Sequence, residues 1–170
     1  MDYKTALATA NHLMERFAPH CERIEIAGSI RRKKAIVKDI ELVCIPKQEP
    51  TGLFDMDLRH SMGFAALCLE LSRGGWKKGD TGSGKFIAIN TATGLRIDIF
   101  TTTADNWGYI LTLRTGSSDH NIRLMQRLKS NGYRCADGHV MWKGEAREMV
   151  DEMAVFDAAG LKWVDPQFRV

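Results

Sequence analysis

The chain has 170 residues and a net charge of +3, and 44% of its residues are hydrophobic while 26% are charged. This length suits one domain or a core domain with a small second lobe, and the composition supports a packed core. No apolar run is long enough to cross a bilayer and the N-terminus lacks a signal-peptide pattern, so we expect a cytoplasmic protein. The four cysteines have no CxxC spacing, which predicts reduced, packed thiols and no disulfide framework or zinc site.

The first two thirds of the chain predict a mixture of helices and strands. We expect a helix over 2–17 with Asp2 as N-cap, strands over 23–30 and 38–45 joined by a basic loop, and a helix over 61–73 that stops at Gly74–Gly75. Strands over 85–90 and 95–100 follow. The segment GDTGSGKF nearly matches a P-loop, but Phe86 stands where a magnesium-binding Ser or Thr is needed, so residues 79–84 predict a connection between elements.

The pattern changes at a boundary near residue 107. The segment that begins YILTLRTGSS predicts a strand, a turn and a helix, which Ser117 or Ser118 caps and Gly132 ends. Asp137–Gly138 predicts a hairpin, and a last helix is expected from about 147 to 159. The chain is therefore predicted to be α+β, with a mixed β-sheet and helices on one face in residues 1–107 and a small α/β lobe in residues 108–170.

Alternation along two predicted strands brings carboxylates together. Side chains at i and i+2 of a strand point to the same face. Asp39 and Glu41 therefore share a face of the first strand, and Arg96 and Asp98 share a face of the second. If the two strands are neighbours, three carboxylates converge, and such acids repel one another unless cations neutralise them. Oxygen ligands suit Mg²⁺, and two such ions can clamp a phosphoryl transfer. The alternative is a solvated sheet face on which the acids pair with basic residues.

The basic loop before these acids has the composition of an anion-binding site. Gly28 and Ser29 offer backbone N–H groups and a hydroxyl to phosphate oxygens, Arg32 can bind phosphate through two N–H groups, and Lys38 adds charge. Anion-binding and cation-binding groups then lie at opposite ends of one short segment, which suits a metal–triphosphate substrate. The alternative is that the run RRKK is a solvated loop or a targeting patch.

Four segments carry a resemblance to a known family. GSIRR followed by DIE resembles the G-S-x-R-R…D-x-D signature of the nucleotidyltransferase superfamily, and more narrowly the chain resembles the family X DNA polymerases. RIDIF (96–100) is similar to the strand of the third catalytic Asp, TGSSDHN (115–121) to the nucleotide-binding turn, and VFDAAGLKWVDPQFR (155–169) to the closing helix and tail of bacterial members. The resemblance implies a nucleotidyltransferase palm in 1–107 and a nucleotide-binding lobe in 108–170, a minimal form that lacks the family's lyase domain.

The resemblance also implies residue roles. Asp39 and Glu41 would hold two Mg²⁺ ions, with Mn²⁺ as an alternative, and Asp98 would hold the ion that activates a primer 3′-hydroxyl. The other implied contacts are Gly28, Ser29, Arg32 and Lys38 with the nucleotide phosphates, Gly116 and Ser117 with the sugar, Asn121 with the base, and Lys85, Arg96, Arg114 and Arg123 with DNA. Arg96 would also set the position or charge of Asp98. The implied partners are a dNTP and primer–template or gapped DNA, and we expect a monomer.

The implied function is template-directed addition of dNMP from dNTP to a primer 3′-hydroxyl, in the filling of short gaps during DNA repair. The alternatives are a nucleotidyltransferase on another acceptor (an untemplated 3′ end, RNA, protein or a small molecule) and a non-catalytic nucleic-acid-binding module, against which the presence of all three acids argues. Four positions depart from the family: Glu41 replaces an Asp, Leu113 and Arg114 replace an aromatic pair that helps to exclude ribonucleotides, and Met125 replaces an arginine near the template.

Overall fold

The computed structural model describes residues 1–50, 58–72, 76–81, 84–136 and 138–170 of the chain. The first part contains α1 (Tyr3–Phe17), β1 (Cys21–Ile26), α2 (Gly28–Arg31), β2 (Ile40–Pro46), β3 (Gln48–Pro50), β4 (Leu58–His60), α3 (Met62–Leu71), β5 (Trp76–Thr81), β6 (Gly84–Asn90) and β7 (Arg96–Thr101). The second part contains α4 (Trp107–Thr115), α5 (Ser118–Ser130), β8 (Tyr133–Ala136), β9 (His139–Trp142), β10 (Glu145–Arg147) and α6 (Glu152–Ala158). Short 3₁₀ turns lie at Ala18–His20, Ala104–Asn106 and Pro166–Phe168.

Five strands form one mixed sheet in the order β1-β2-β7-β6-β5. The central strands β2 and β7 run parallel, while the other neighbouring pairs are antiparallel. Smaller antiparallel sheets are formed by β3 with β4 and by β8, β9 and β10. The predicted α+β class with a mixed sheet is confirmed.

The two faces of the large sheet pack against different helices. Alternate residues of the central strands, such as Leu42 and Ile99, join α1 and α3 in one buried cluster. The residues between them, Val43 and Phe100, point the other way and join α4 and α5 in a second cluster. Because side chains alternate along a strand, Glu41 and Asp98 lie on the second face, under the C-terminal lobe.

The predicted strand over 23–30 is wrong in its second half. The strand ends at Ile26, and Gly28 has a φ of +61°, a backbone conformation that few other residues adopt and that breaks the extended chain. Helical hydrogen bonds follow, from Arg31 N–H to the Ala27 carbonyl and from Arg32 N–H to the Gly28 carbonyl. The residues before the acids therefore form a short helix.

The segment predicted as a strand after residue 108 is a helix, α4. Seven of its nine residues are buried, on all sides of the helix. A short, uniformly apolar run has no periodicity that separates a helix from a strand, so the sequence pattern was ambiguous here. Ser117 caps the next helix as predicted, because its hydroxyl accepts a hydrogen bond from the His120 N–H.

Three further predictions need correction. The last helix begins at Glu152, because the Asp151 side chain caps it by accepting a hydrogen bond from the Ala154 N–H, and the residues before it form β10. The connection predicted over 79–84 overlaps strand β5, which pairs with β6. All four cysteines are free thiols, but Cys135 is exposed and not packed.

Some predicted features lie partly outside the described residues, namely the helix stop at Gly74–Gly75, Asp137 of the hairpin and the side chain of Lys85. The backbone of Lys85 is described and pairs with Thr101 in the sheet. Within the described ranges, no helix has both the length and the apolar character needed to span a bilayer.

Candidate active site

The three predicted acids occur at adjacent strand starts. Glu41 lies on β2 directly opposite Asp98 on the parallel strand β7. Asp39 precedes the first residue of β2 and is half-buried, so it does not belong to the strand as predicted. The neighbouring residues Ile40 and Ile97 are fully or almost fully buried in the core on the other face. The strand register therefore brings two of the acids side by side.

Electrostatic coupling shows that Asp39 is also near. The pKa of Glu41 is raised from its usual 4.5 to about 7, first by burial of the carboxyl and then by the charges of Asp39 and Asp98. The guanidinium groups of Arg32 and Arg114 oppose this rise in pKa. Glu41 is thus the centre of the acidic group, and its carboxyl has a pKa near neutral pH.

This raised pKa predicts a pH-dependent stability. In the folded protein Glu41 binds its proton more tightly than in the unfolded chain, so stability is full below pH 4.5 and falls as pH rises through about 7. Relative to the variant Glu41→Gln, the wild-type protein should lose on the order of 3 kcal/mol of unfolding free energy between pH 4 and pH 8. Urea unfolding in a chelating buffer measures both proteins. If the unfolding free energies of the two proteins change equally with pH, the raised pKa of Glu41 would be contradicted.

Asp98 is held by an arginine of its own strand. The Nε–H of Arg96 donates to both carboxylate oxygens, at 2.9 and 3.1 Å, while Asp98 is only 5% exposed. The hydrogen bond and the charge of Asp98 raise the pKa of Arg96. Arg96 therefore contacts the acid, as the positioning role requires, and its predicted contact with DNA stays a prediction.

The acids do not form a closed metal cage. Among the described residues, no group of three His, Cys, Asp or Glu side chains is arranged to hold a metal ion as it stands. Asp98 faces Arg96, and Glu41 packs over Gly28, which accounts for the separation of their oxygens. The donor set nevertheless fits a hard divalent cation, because it offers carboxylate oxygens whose mutual repulsion a cation would relieve.

Gly28 permits the close approach of Glu41. A Cβ atom at Gly28 would lie 1.7 Å from Glu41 Oε2, and the residue has a φ of +61°. A side chain here would therefore meet both backbone strain and a direct clash with the acid.

We expect Gly28→Ala to lower the free energy of unfolding by about 2–4 kcal/mol, since strain and overpacking add. The matched control is Gly94→Ala, because Gly94 also has a positive φ (+76°) but has open space around its Cβ position. The control should show only the strain cost, about 1 kcal/mol. If urea unfolding shows the same loss of unfolding free energy for the two variants, the contact with Glu41 does not contribute to the effect.

The basic segment before the acids, which begins with α2, has polar atoms without partners. Ser29 Oγ and Arg32 Nε are buried and find no hydrogen-bond partner among the described residues. The other end of the Arg32 side chain donates to the Thr115 carbonyl, and burial lowers the pKa of its guanidinium while Glu41 and Asp39 partly restore it. Lys38 is exposed. The loop therefore joins the acids to the turn at Gly116.

The predicted nucleotide-binding turn joins α4 to α5. Gly116 has a φ of +68°, and the Gly116–Ser117 peptide bond is cis. The Asn121 amide donates to the Leu113 carbonyl at 2.7 Å, and the Asn121 side chain also shares a hydrogen bond with His120. Asn121 thus links α4 to α5.

The arginines predicted to contact DNA lie in different settings. Arg114 stacks over the Phe100 ring at 3.9 Å, and the charges of Glu41 and Asp98 act on it. It therefore faces the acids as a counter-charge. Arg123 is exposed on α5 and donates to the Val170 carbonyl.

One charged cluster was not predicted. Glu152 is 7% exposed and accepts two hydrogen bonds from Arg31, at 2.8 and 2.9 Å, and one from Arg169 at 2.7 Å. Burial alone would raise the pKa of Glu152, but these hydrogen bonds outweigh it and lower the pKa to about 2. The only sequence signal was an acid at the helical spacing of the buried residues Val155 and Phe156. The cluster ties α2 to α6 and the tail.

Comparisons with known proteins agree with this architecture. Residues 110–170 match the family model of the DNA polymerase beta thumb. The fold matches the crystal structure of Leishmania infantum polymerase beta in a ternary P/T complex, with a TM-score of 0.72 and 16% identity over 100% of this chain and 76% of that one. A ternary gap complex of the same polymerase matches with a TM-score of 0.72 and 15% identity over 99% of this chain and 70% of that one. No curated protein matches the sequence. The resemblance to family X polymerases is confirmed, and the chain is polymerase beta-like in its fold and thumb.

Proposed function

We propose that the chain is a template-directed DNA polymerase of family X type, which adds dNMP from dNTP to a primer 3′-hydroxyl and fills short gaps in DNA repair. The observation that carries this proposal is the register of β2 and β7, which sets Glu41 opposite Asp98 on the face covered by the C-terminal lobe. The fold match to ternary P/T and gap complexes of a polymerase beta supports the choice of nucleic acid as substrate.

In the proposed reaction, the 3′-hydroxyl of the primer gives its proton to solvent water and its oxygen bonds to the α-phosphorus of the dNTP, while the bond from that phosphorus to pyrophosphate breaks and pyrophosphate leaves. The carboxylates of Asp39, Glu41 and Asp98 would hold two Mg²⁺ or Mn²⁺ ions, whose charge would neutralise the phosphates and acidify the hydroxyl. Arg96 keeps the Asp98 carboxylate in place through hydrogen bonds to both oxygens. Protein groups thus contribute positioning and electrostatics, and no covalent intermediate is needed.

The phosphate-binding part of the proposal rests on the loop. Ser29 Oγ and Arg32 Nε are buried without partners among the described residues, and phosphate oxygens would satisfy both. Gly28 would offer its backbone N–H and Lys38 its charge. On the lobe side, Gly116 and Ser117 would enclose the sugar, and Asn121 would face the base.

We further propose that residues 1–107 act as the palm and residues 108–170 as the nucleotide-binding lobe of a monomer. The start of α4 at Trp107 agrees with this division. Arg123 and Lys85 are proposed DNA contacts. Arg114, which faces the acids, is proposed to contact DNA only where the primer end reaches them.

The deciding experiment is primer extension with magnesium and single dNTPs on a one-nucleotide gapped duplex, a single-stranded primer and a blunt duplex. Incorporation of only the complementary base at the gap would support the proposal. Addition to the single strand, independent of the base supplied, would replace it with untemplated transfer. Turnover on none of the three would refute a DNA polymerase and favour an RNA, protein or small-molecule acceptor.

A further inference from the structure

A cavity of about 540 Å³ lies between α5, α6 and the C-terminal tail, away from the three acids. Its floor is apolar: Leu124 is fully buried and Phe156 is 1% exposed. Phe168 stands at its edge with 67% of its surface exposed. The volume is in the range of sites that take a small molecule or one or two nucleotides.

The rim of this cavity is basic. Arg123, Arg127 and Lys162 line it and are exposed, and no acidic side chain is among the lining residues in the described part of the chain. Arg123 also donates a hydrogen bond to the Val170 carbonyl, so Arg127 and Lys162 are the better cations to remove in a test of the rim. An apolar floor, an exposed aromatic ring and a cationic rim together suit a ligand with flat apolar groups and repeated negative charges.

His120 adds a polar group to the same wall. It lines the cavity, is 7% exposed, and shares a hydrogen bond with the Asn121 side chain. A ring nitrogen in the wall can exchange such a contact for one to a base or a sugar hydroxyl.

We infer that this cavity, a groove lined by Arg127, Lys162, Phe168 and His120, binds single-stranded nucleic acid. Single strands are held where a cationic groove follows the backbone and aromatic rings stack on the bases. Ser117 caps the same helix, Asn121 lies in its first turn, and the rise from Asn121 to Arg127 is about 9 Å. The inference rests on the proposed function only in taking nucleic acid as the partner, with the groove receiving the unpaired strand next to the nucleotide pocket.

The test is fluorescence anisotropy of a labelled ten-nucleotide oligo(dT) across a series of salt concentrations, with neither magnesium nor dNTP present. The double variant Arg127→Ala/Lys162→Ala should reduce the slope of log affinity against log salt by about 1.4, the value for two lost single-strand phosphate contacts. Phe168→Ala should weaken binding about tenfold, the size of one lost base–aromatic stack. Thermal unfolding checks that each variant folds.

Matched controls remove the same chemistry elsewhere. Lys129→Ala/Arg134→Ala deletes one lysine and one arginine that are exposed but do not line the groove, and Met153→Ala deletes an apolar side chain that is 51% exposed. Losses equal to those of the groove variants, or no oligo(dT) binding by wild type, would overturn the inference. A second competitor, poly-glutamate, tests the alternative of an acidic peptide. If poly-glutamate displaces oligo(dT), and the groove variants lose more affinity for poly-glutamate than for oligo(dT), the groove would be assigned to an acidic peptide instead. Because no catalysis is measured, failure here is separate from failure of the polymerase proposal.

Discussion

Asp98→Asn is expected to lower the rate of magnesium-dependent nucleotide incorporation by about 10³-fold, measured as single-turnover extension on a gapped duplex. Asparagine keeps the shape of the side chain but removes the charge that a divalent cation requires, and it leaves Arg96 without its carboxylate partner. Because Asp98 lies opposite Glu41 across the parallel strand pair, the substitution also removes one of the three acids at the strand starts.

The control for this variant is Asp105→Asn, which removes an exposed acid from the turn before α4. It should retain the wild-type rate within about twofold, as surface substitutions usually do. A loss below tenfold for Asp98→Asn, with unfolding behaviour unchanged, would place the chemistry away from these carboxylates. A loss of affinity for the gapped duplex with an unaltered rate at saturation would make Asp98 a binding residue only.

Glu152→Gln is expected to lower the free energy of unfolding at pH 7 by about 3–5 kcal/mol, because it leaves two buried arginines without a counter-charge. Arg169 is 1% exposed and the Arg31 side chain is 19% exposed, so both guanidinium groups are largely shielded from water. The control is Glu70→Gln, whose partner Arg16 is at the surface and whose loss should cost less than about 1 kcal/mol.

The contribution of Glu152 to stability depends on pH in the opposite direction to that of Glu41. The pKa of Glu152 is lowered from 4.5 to about 2, so its contribution to stability is full above pH 4.5 and is lost as pH falls through about 2. Wild type should therefore lose about 3 kcal/mol relative to Glu152→Gln over that window. Urea unfolding at pH 7, 4 and 2.5 measures both effects, and an unchanged difference between the two proteins would show that the ion pairs contribute nothing net.

Features that depend on short-range patterns were predictable from the sequence. Strand alternation predicted that Arg96 and Asp98 share a face, which their hydrogen bonds bear out, and Ser117 was recognisable as a cap. In contrast, α4 carries no helical period because it is buried on nearly all sides.

Tertiary contacts account for what the sequence did not indicate. The position of Arg114 over Phe100 depends on how α4 crosses the sheet, and the cluster around Glu152 joins residues more than a hundred positions apart. No local pattern records such contacts. The direct approach of Glu41 to Gly28 likewise follows only from the chain reversal through α2.

The adjacent arginines of the basic loop have a mechanical consequence. Arg31 donates hydrogen bonds to Glu152 and to the Thr115 hydroxyl, and Arg32 donates to the Thr115 carbonyl. These contacts connect the α2 region, next to the sheet, to the C-terminal lobe at two points. Swinging the lobe away from the sheet would break these hydrogen bonds to charged groups, each of which contributes roughly 1.5–3 kcal/mol, so an open form would be a minor population. We therefore expect the cleft between the sheet and the lobe to keep its shape when the proposed substrates bind, without a large hinge movement.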